Sequence, residues 1–470
     1  MAQHHYTRIY VHGEWVEPIS SSTIDVINPA TLEPVGAVPS VELADTDLAV
    51  SAARSAFDSW ASMPLSERIA VLRRATELLE GSVESMAHAI SLEMGAPAGF
   101  ARTEHVALPI TIMNNYLADL SGDPGLPHSS IENSLIVREP VGVVAAITPW
   151  NFPLYQLVIK VVPALLAGCT VVAKPSELTP LSAYLFTDIL DRAGLPDGVF
   201  NLVPGKGSVV GAALASHPDI DLVSFTGSTR AGIAVATAAA STVKRVALEL
   251  GGKSACLVLP GSDLVAAVDA TISSCFWNAG QTCSALTRLL VPRELHDEAV
   301  TLAARTASTV GADMGPLISS EQFDVVQNLI AAGVAEGAQL VTGGLGRPSD
   351  HTRGHFARPT VFGNVSPKMQ IAQEEIFGPV LVVIPYDNID DAIEIANDSP
   401  YGLSGAVWGP DTESALSAAR RIRTGQVDIN GGPFNPRAPF GGTKMSGIGR
   451  ELGPFGLDEF LELKSIQFPL

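Results

Sequence analysis

The sequence predicts an open α/β fold made of two strand–helix series and a small all-β arm. Three observations carry this. Short, β-branched apolar runs alternate with amphipathic helical stretches along most of the chain. At 470 residues the chain is too long for one simple core, so two or three packed units are expected. The stretch 121–140, "SGDPGLPHSSIENSLIVREP", interrupts the first series. It is rich in turn residues and then alternates, which reads as a hairpin leaving the domain.

In chain order, "DLAVSAARSAFDSWA" puts Ala49, Ala52, Ala53, Ala56, Phe57 and Trp60 on one helical stripe, and a second helix near "SERIAVLRRATELLEG" stops at Gly81. "VGVVAAIT" (141–148), "CTVVAKP" (169–175), "FNLVPG" (200–205), "LVSFTG" (222–227) and "KRVALELGG" (244–252) each read as a short buried strand. One helix between them is expected to open with Thr179 as N-cap and Pro180 at its first position. Strands alternating with helices imply right-handed crossovers and a parallel sheet. A second series begins near Lys253 with "SACLVLPG", "LTRLLVP", "AQLVTGG", "PVLVVIPY" and "LSGAVWG". The end, "LELKSIQFPL", reads as a last strand. The domain division expected is 1–120 with 141–251, then 252–451, with 121–140 and 452–470 forming an oligomerisation arm. An arm and a terminal strand without covering helices suit subunit contacts.

Composition narrows the function. Hydrophobic residues make up 46% and charged residues 17% of the chain, which fits substantial cores. A formal net charge of −20 argues against nucleic acid as a partner. No apolar run reaches membrane-spanning length, and "MAQHHYTRIYVHGEW" lacks a signal-peptide core, so a cytoplasmic protein is expected. The four cysteines form no C-x-x-C pair. His351 and His355 in "HTRGH" have ligand-like spacing without a carboxylate or second cluster, so no metal is expected. "GKGSVVG" (205–211) has one residue too many for a dinucleotide fingerprint, "GGKS" lacks the first glycine of a P-loop, and there is no G-x-S-x-G elbow.

Four stretches carry chemistry. "ITPWNFPL" places Asn151 at the carboxyl end of a strand. "FTGSTRAG" places Gly227 and Ser228 at a strand-to-helix turn. "LELGGKS" sets Glu249 beside two glycines, and "GQTC" presents Cys283. Strand ends in an open α/β sheet bind ligands. A thiolate is a strong nucleophile, favoured by electropositive surroundings and helix N-termini. An amide donates to a developing oxyanion. A partly buried carboxylate serves as a general base, and backbone N–H groups at a helix start hold phosphate. The plainer readings are a buried structural thiol, a helix cap and a surface carboxylate. The first of these fits Cys169, Cys256 and Cys275. Together the four stretches suit acyl chemistry coupled to a dinucleotide.

"TPWNFPL", "KPSELTP", "FTGST", "LELGGKS", "GQTC", "EEIFGPV" and "PFGGTKMSGIGREL" stand in an order that resembles the NAD(P)-dependent aldehyde dehydrogenases over nearly the whole chain. The resemblance implies an aldehyde dehydrogenase-like fold: a Rossmann-type cofactor domain, an α/β catalytic domain and a small β oligomerisation arm. It implies oxidation of an aldehyde to a carboxylic acid. Cys283 would form a thiohemiacetal and then a thioester. Asn151 and the Cys283 N–H would hold the oxyanion, Glu249 would activate the hydrolytic water, and Lys160 would support the site. For the cofactor, Lys174 and Glu177 would meet the adenosine ribose, Ser228 the pyrophosphate with Gly227 in the turn and Trp150 beside it, and Glu375 the nicotinamide ribose with Phe377 next to the ring. A carboxylate near the 2′ position repels a 2′-phosphate, so NAD is expected over NADP. Tyr155, Ile159, Thr282, Phe434 and Phe440 would line the substrate tunnel. Glu462 aligns with a glutamate linked to proton relay. Arg437 is either a grip for a substrate carboxylate or a solvent-facing side chain. The family also implies a homo-oligomer, either a dimer or a homotetramer. The alternatives are a catalytically idle relative and a thiol esterase.

Overall fold

The structure, a computed structural model, describes residues 4–121, 126, 128–310 and 314–469. The first sheet is built on five parallel strands: β1 (Val143–Ile147), β2 (Thr170–Lys174), β3 (Phe200–Leu202), β4 (Leu222–Thr226) and β5 (Arg245–Glu249). They lie in the order β5-β4-β1-β2-β3. The chain winds outward from β1 through β2 to β3, then returns to the other side of β1 to lay down β4 and β5. β4 and β1 pair from Leu222↔Val144 to Phe225↔Ile147, so their carboxyl ends open onto the same crevice at the topological switch point. Every residue of β1, β2 and β4 is buried, as strands covered on both faces must be.

Short antiparallel strands complete this sheet. Gly447–Ile448 joins β5, while Ile9–Val11 and then Glu14–Val16 extend it beyond β3. These two- and three-residue pieces carry too little alternation to be legible in the sequence. Thr23–Ile27, Pro34–Pro39 and His4–His5 form a separate small sheet.

The chain passes to the second sheet through Leu250–Lys253, all four residues buried. Its strands are β6 (Ser254–Val258), β7 (Leu286–Pro292), β8 (Thr360–Gly363), β9 (Val380–Tyr386) and β10 (Gly405–Trp408). Gln339–Thr342 pairs antiparallel with β8. The order continues β9-β7-β6-β10 in parallel, and Asp428–Ile429 closes the far edge. Ser129–Ile131, Ser134–Pro140 and Leu461–Gln467 form a third, antiparallel sheet, in register from Leu461↔Pro140 to Gln467↔Ser134. Positions 122–125, 127 and 470 of the expected arm lie outside the described residues.

Three local expectations need correction. The helix expected to open at Pro180 runs Leu181–Arg192, and no side chain of Thr179 caps it. Glu93 caps it instead: its carboxylate accepts from the backbone N–H of Leu181 at 2.5 Å and of Ser182 at 3.3 Å. Burial pushes this carboxyl up to about 7. Phe57 is only half-buried, whereas Ala49, Ala52, Ala53, Ala56 and Trp60 of the same helix, Leu43–Ala61, are buried. Residues 452–460, grouped with the arm in the sequence, pack into the main core. There Leu452, Leu457 and Phe460 are buried with Tyr155 and Phe440.

Candidate functional site

Two cavities meet at one sulfur. The first, about 240 Å³, sits at the switch-point crevice. Its walls include Trp150, Asn151, Gly227, Ser228, Cys283, Glu375 and Phe377. The second, about 390 Å³, is a tunnel on the other side of Cys283, with Tyr155, Thr282, Phe434 and Phe440 among its walls. Cys283 is the half-buried cysteine, and Cys169, Cys256 and Cys275 are buried in the cores.

The turn carrying Cys283 is held in place locally. Asn278, Ala279 and Gly280 all adopt left-handed backbone (φ 50°, 56° and 75°), so the chain reverses sharply before Gln281. Only glycine fits at 280, because a Cβ there would lie 2.2 Å from the Gly378 carbonyl. Gln281 is buried and locks the turn: its Nε2 donates to the carbonyls of Asn278 at 3.0 Å and Pro316 at 3.2 Å, and its Oε1 accepts from the Ile318 N–H at 2.8 Å. Asn278 Nδ2 donates to the Asn151 carbonyl at 2.9 Å, tying the cysteine turn to the end of β1. Neither Asn278 nor Gln281 was singled out from the sequence; the signal was a pair of amides flanking a glycine in the "NAGQTC" stretch.

Asn151 is buried, and its Nδ2 donates to the Gln281 carbonyl at 3.1 Å. An amide has two N–H donors, so one is left to face the cavities that Asn151 lines. Glu249 ends β5, is buried, and has no hydrogen-bond partner at either carboxylate oxygen among the described residues. Burial, then the neighbouring Glu451 charge, raises its pKa well above the usual carboxylate range. The Gly251–Gly252 pair lets this segment run against the cysteine turn, since a Cβ at 252 would lie 2.4 Å from the Cys283 carbonyl.

Lys160 lies on the helix Pro153–Ala167, every residue of which is buried. Its Nζ donates to Thr226 Oγ1 at 2.7 Å and to Glu451 Oε1. Glu451, the penultimate residue of "GIGREL", is thus the glutamate beside Lys160 and Glu249. Glu462, which alignment linked to proton relay, is on the exposed terminal strand and pairs with Arg245 at 3.0 Å. That expectation is corrected: Glu451 occupies the buried position. Ile159 is corrected as well. It shares a face with Tyr155 one turn on, but it is buried in the core and does not line the tunnel. Arg437 is half-exposed and pairs with Asp119 at 3.2 Å, in keeping with its solvent-facing reading.

The expected thiol activation is absent. Burial first, then the Glu375, Glu249 and Glu451 carboxylates, raise the Cys283 pKa, while the Ser284 N–H pulls the other way. Lys160, the buried cation beside Glu249, is engaged by Glu451.

The first cavity suits a dinucleotide. Ser228 caps the helix Thr229–Ala239, its Oγ accepting from the Ala231 N–H at 3.3 Å, so free N–H groups of the first turn face the crevice end of β4. A Cβ at 251 would fall 2.1 Å from Glu375 Oε2, so glycine keeps room for this carboxylate. Glu375 Oε1 accepts from the Gly252 N–H at 2.9 Å, and burial pushes its carboxyl up to about 7. Trp150 meets Phe377 edge-on at 5.3 Å, and Gln322 Nε2 donates to the Ile376 and Phe377 carbonyls at 3.0 Å each. Lys174 and Glu177 stand away from this cavity's walls at the end of β2. Lys174 Nζ donates to the Pro175 carbonyl at 2.8 Å and to Glu177 Oε2 at 3.4 Å, and Glu177 Oε1 accepts from the Gly207 N–H at 3.3 Å.

Residues 15–466 match the aldehyde dehydrogenase family. A 3-succinoylsemialdehyde-pyridine dehydrogenase of Pseudomonas sp. is 48% identical over 98% of both chains. Among solved structures, an aldehyde dehydrogenase C variant of Pseudomonas syringae in complex with NAD+ and octanal is 50% identical, with a TM-score of 0.96 over 98% of this chain and 96% of that one. A Mycobacterium tuberculosis aldehyde dehydrogenase in complex with NAD+ is 44% identical, with a TM-score of 0.96 over 100% and 99%.

Proposed function

This chain belongs to the aldehyde dehydrogenase family, and from that premise we propose that it oxidises an aldehyde to a carboxylic acid by covalent catalysis at Cys283. It is an NAD-dependent oxidoreductase with the family's fold. The observation that carries the covalent reading is the position of Cys283, a wall of both the crevice and the tunnel. A carbonyl carbon entering from the tunnel meets the thiol where the crevice ends.

When bound, NAD supplies the hydride acceptor. Gly227, Ser228, Glu375, Phe377 and Trp150 are the crevice residues that would hold its pyrophosphate and nicotinamide half, with Lys174 and Glu177 at the adenosine ribose. The Cys283 thiol gives up its proton to solvent as its sulfur adds to the aldehyde carbon, and the oxyanion accepts from the free Asn151 N–H and the Cys283 N–H. Loss of hydride leaves a thioester on the sulfur. Glu249, with no partner on either oxygen, takes a proton from water, whose oxygen attacks the thioester carbon; the acid leaves and the sulfur is regained. Lys160 and Glu451 give the proton on Glu249 a buried polar neighbour through which to exchange. Burial and neighbouring carboxylates raise the pKa of both the thiol and Glu249, so each has to lose a proton before it can act as nucleophile or base. Glu177 beside the ribose favours NAD over NADP.

Among the described residues no helix is long and apolar enough to cross a membrane, and a cytoplasmic location is part of this proposal. So is assembly through the terminal strand Leu461–Gln467, where Leu463 and Ile466 are exposed on an open sheet edge, giving a dimer or homotetramer.

The test is NADH absorbance with octanal and NAD. The wild type should turn over, and Cys283→Ala should lose roughly 10⁴-fold or more of that rate while NAD still raises its melting temperature. Undiminished oxidation by Cys283→Ala would remove the thiol from the reaction. Ester hydrolysis with no thermal response to NAD would favour the esterase reading.

A further inference from the structure

The tunnel is mostly apolar and aromatic, with Phe152, Tyr155, Trp277, Phe434 and Phe440 among its walls. One charged side chain lines it: Asp428. No lysine, arginine or histidine is among its lining residues. Asp428 opens the two-residue strand at the edge of the second sheet, with its backbone fixed in parallel register opposite Ala406. It is half-buried, and its carboxylate makes no hydrogen bond or ion pair among the described residues. The neighbouring Gln426 amide is uncharged and donates one N–H to Ser404 Oγ at 3.1 Å, not to the carboxylate. Arg437, the cation closest in sequence to the tunnel's Phe434 and Phe440, is drawn off to Asp119 at the surface.

An unpartnered carboxylate against aromatic walls has a definite preference. A second carboxylate entering the tunnel would shed its hydration and meet a like charge with no cation to offset either cost. A cationic tail would gain both the carboxylate and the aromatic faces. Resting on the aldehyde-oxidation reading above, we propose that Asp428 sorts substrates by the charge at the end remote from the aldehyde. Tails that are uncharged or cationic are accepted, and carboxylate-ended semialdehydes are turned away.

The experiment compares three aldehydes of one chain length, ending in methyl, carboxylate or trimethylammonium, by kcat/KM. The wild type should use the carboxylate-ended aldehyde about tenfold or more worse than the methyl-ended one, and the trimethylammonium-ended one at least as well as the methyl-ended one. In Asp428→Asn the carboxylate-to-methyl ratio should rise about fivefold or more and the trimethylammonium-to-methyl ratio should fall. Asp428→Glu, which keeps the charge, should keep the wild-type order. Equal use of carboxylate- and methyl-ended aldehydes by the wild type would overturn the proposal, and this result needs no variant to fold. So would unchanged ratios in a folded Asp428→Asn. If none of the three yields NADH, it is the oxidation reading that falls, which separates the two failures.

Discussion

The crevice and the tunnel share Cys283 but are made differently. The crevice is a product of backbone: strand ends, a capped helix start, and glycines at 251 and 252 that let main chain and carboxylates approach. Its polar groups come from short segments at the ends of β1, β4 and β5, joined by Cys283, Gln322 and Glu375 from the second sheet's side. The tunnel is a product of side chains, drawn from Leu108, the 151–156 and 273–286 segments, Ser404 and the 426–440 stretch. Its wall surface is mostly apolar and aromatic, and its one carboxylate has no partner among the described residues. A backbone-built site constrains local sequence tightly and suits a cofactor that does not change. A side-chain-built site leaves each wall free to vary with the substrate.

Substitutions on the two sides should therefore fail in different ways. The largest effect is expected at the boundary. Asn151→Ala should lower kcat by roughly 10²–10³-fold, as loss of an oxyanion donor does, and by a similar factor for every aldehyde tested. A loss confined to one aldehyde would assign Asn151 to the tunnel instead. Phe434→Ala should act on substrate choice, lowering kcat/KM for long apolar aldehydes by about tenfold and changing the KM for NAD little. Equal losses for short and long aldehydes would erase the distinction between the two sites.

The smallest effect is expected behind the tunnel wall. His105 is fully buried, neither ring nitrogen has a partner among the described residues, and its ring stacks on Phe152 at 4.8 Å. Burial lowers its pKa from 6.5 to about 3. The unfolded chain takes up a proton as the pH falls below 6.5 while the folded one resists until about 3, so this group's contribution to stability is lost across that window. His105→Phe should flatten the fall in urea midpoint between pH 7 and pH 4. An unchanged slope would mean that His105 is not held neutral.

The same contrast explains how much was legible in the sequence. Cys283, Asn151 and Glu249 could be picked out because each sits in a motif whose small and polar neighbours serve the backbone. The strands β1 to β5 were legible from continuous apolar runs. Ile159 was misplaced because helical spacing gives a face but not how deep along it the cavity reaches. Glu451 was passed over for Glu462 because alignment by position cannot tell a buried turn from an exposed strand, although Glu451 stood inside the quoted "GIGREL". The raised thiol pKa was invisible, since burial first and then three carboxylates from distant segments produce it, and neither can be read from local sequence. Asp428 was missed for the same reason: its meaning depends on the absence of any cation on walls assembled from five parts of the chain.

The wild-type pH profile probes the shared boundary. With the Glu249 pKa raised by burial and by Glu451, kcat should rise with pH as the carboxyl ionises, at a pH above the usual carboxylate range. A rate that is flat from acid to alkaline pH would place the limiting step elsewhere.

The most direct measurement is a rapid-mixing experiment on Glu249→Gln with NAD and octanal, followed by intact-mass analysis. The covalent account predicts one NADH per active site in a fast phase, then a stall, with the acyl group found as a thioester on the peptide carrying Cys283. Sustained turnover with Cys283 unmodified would contradict it.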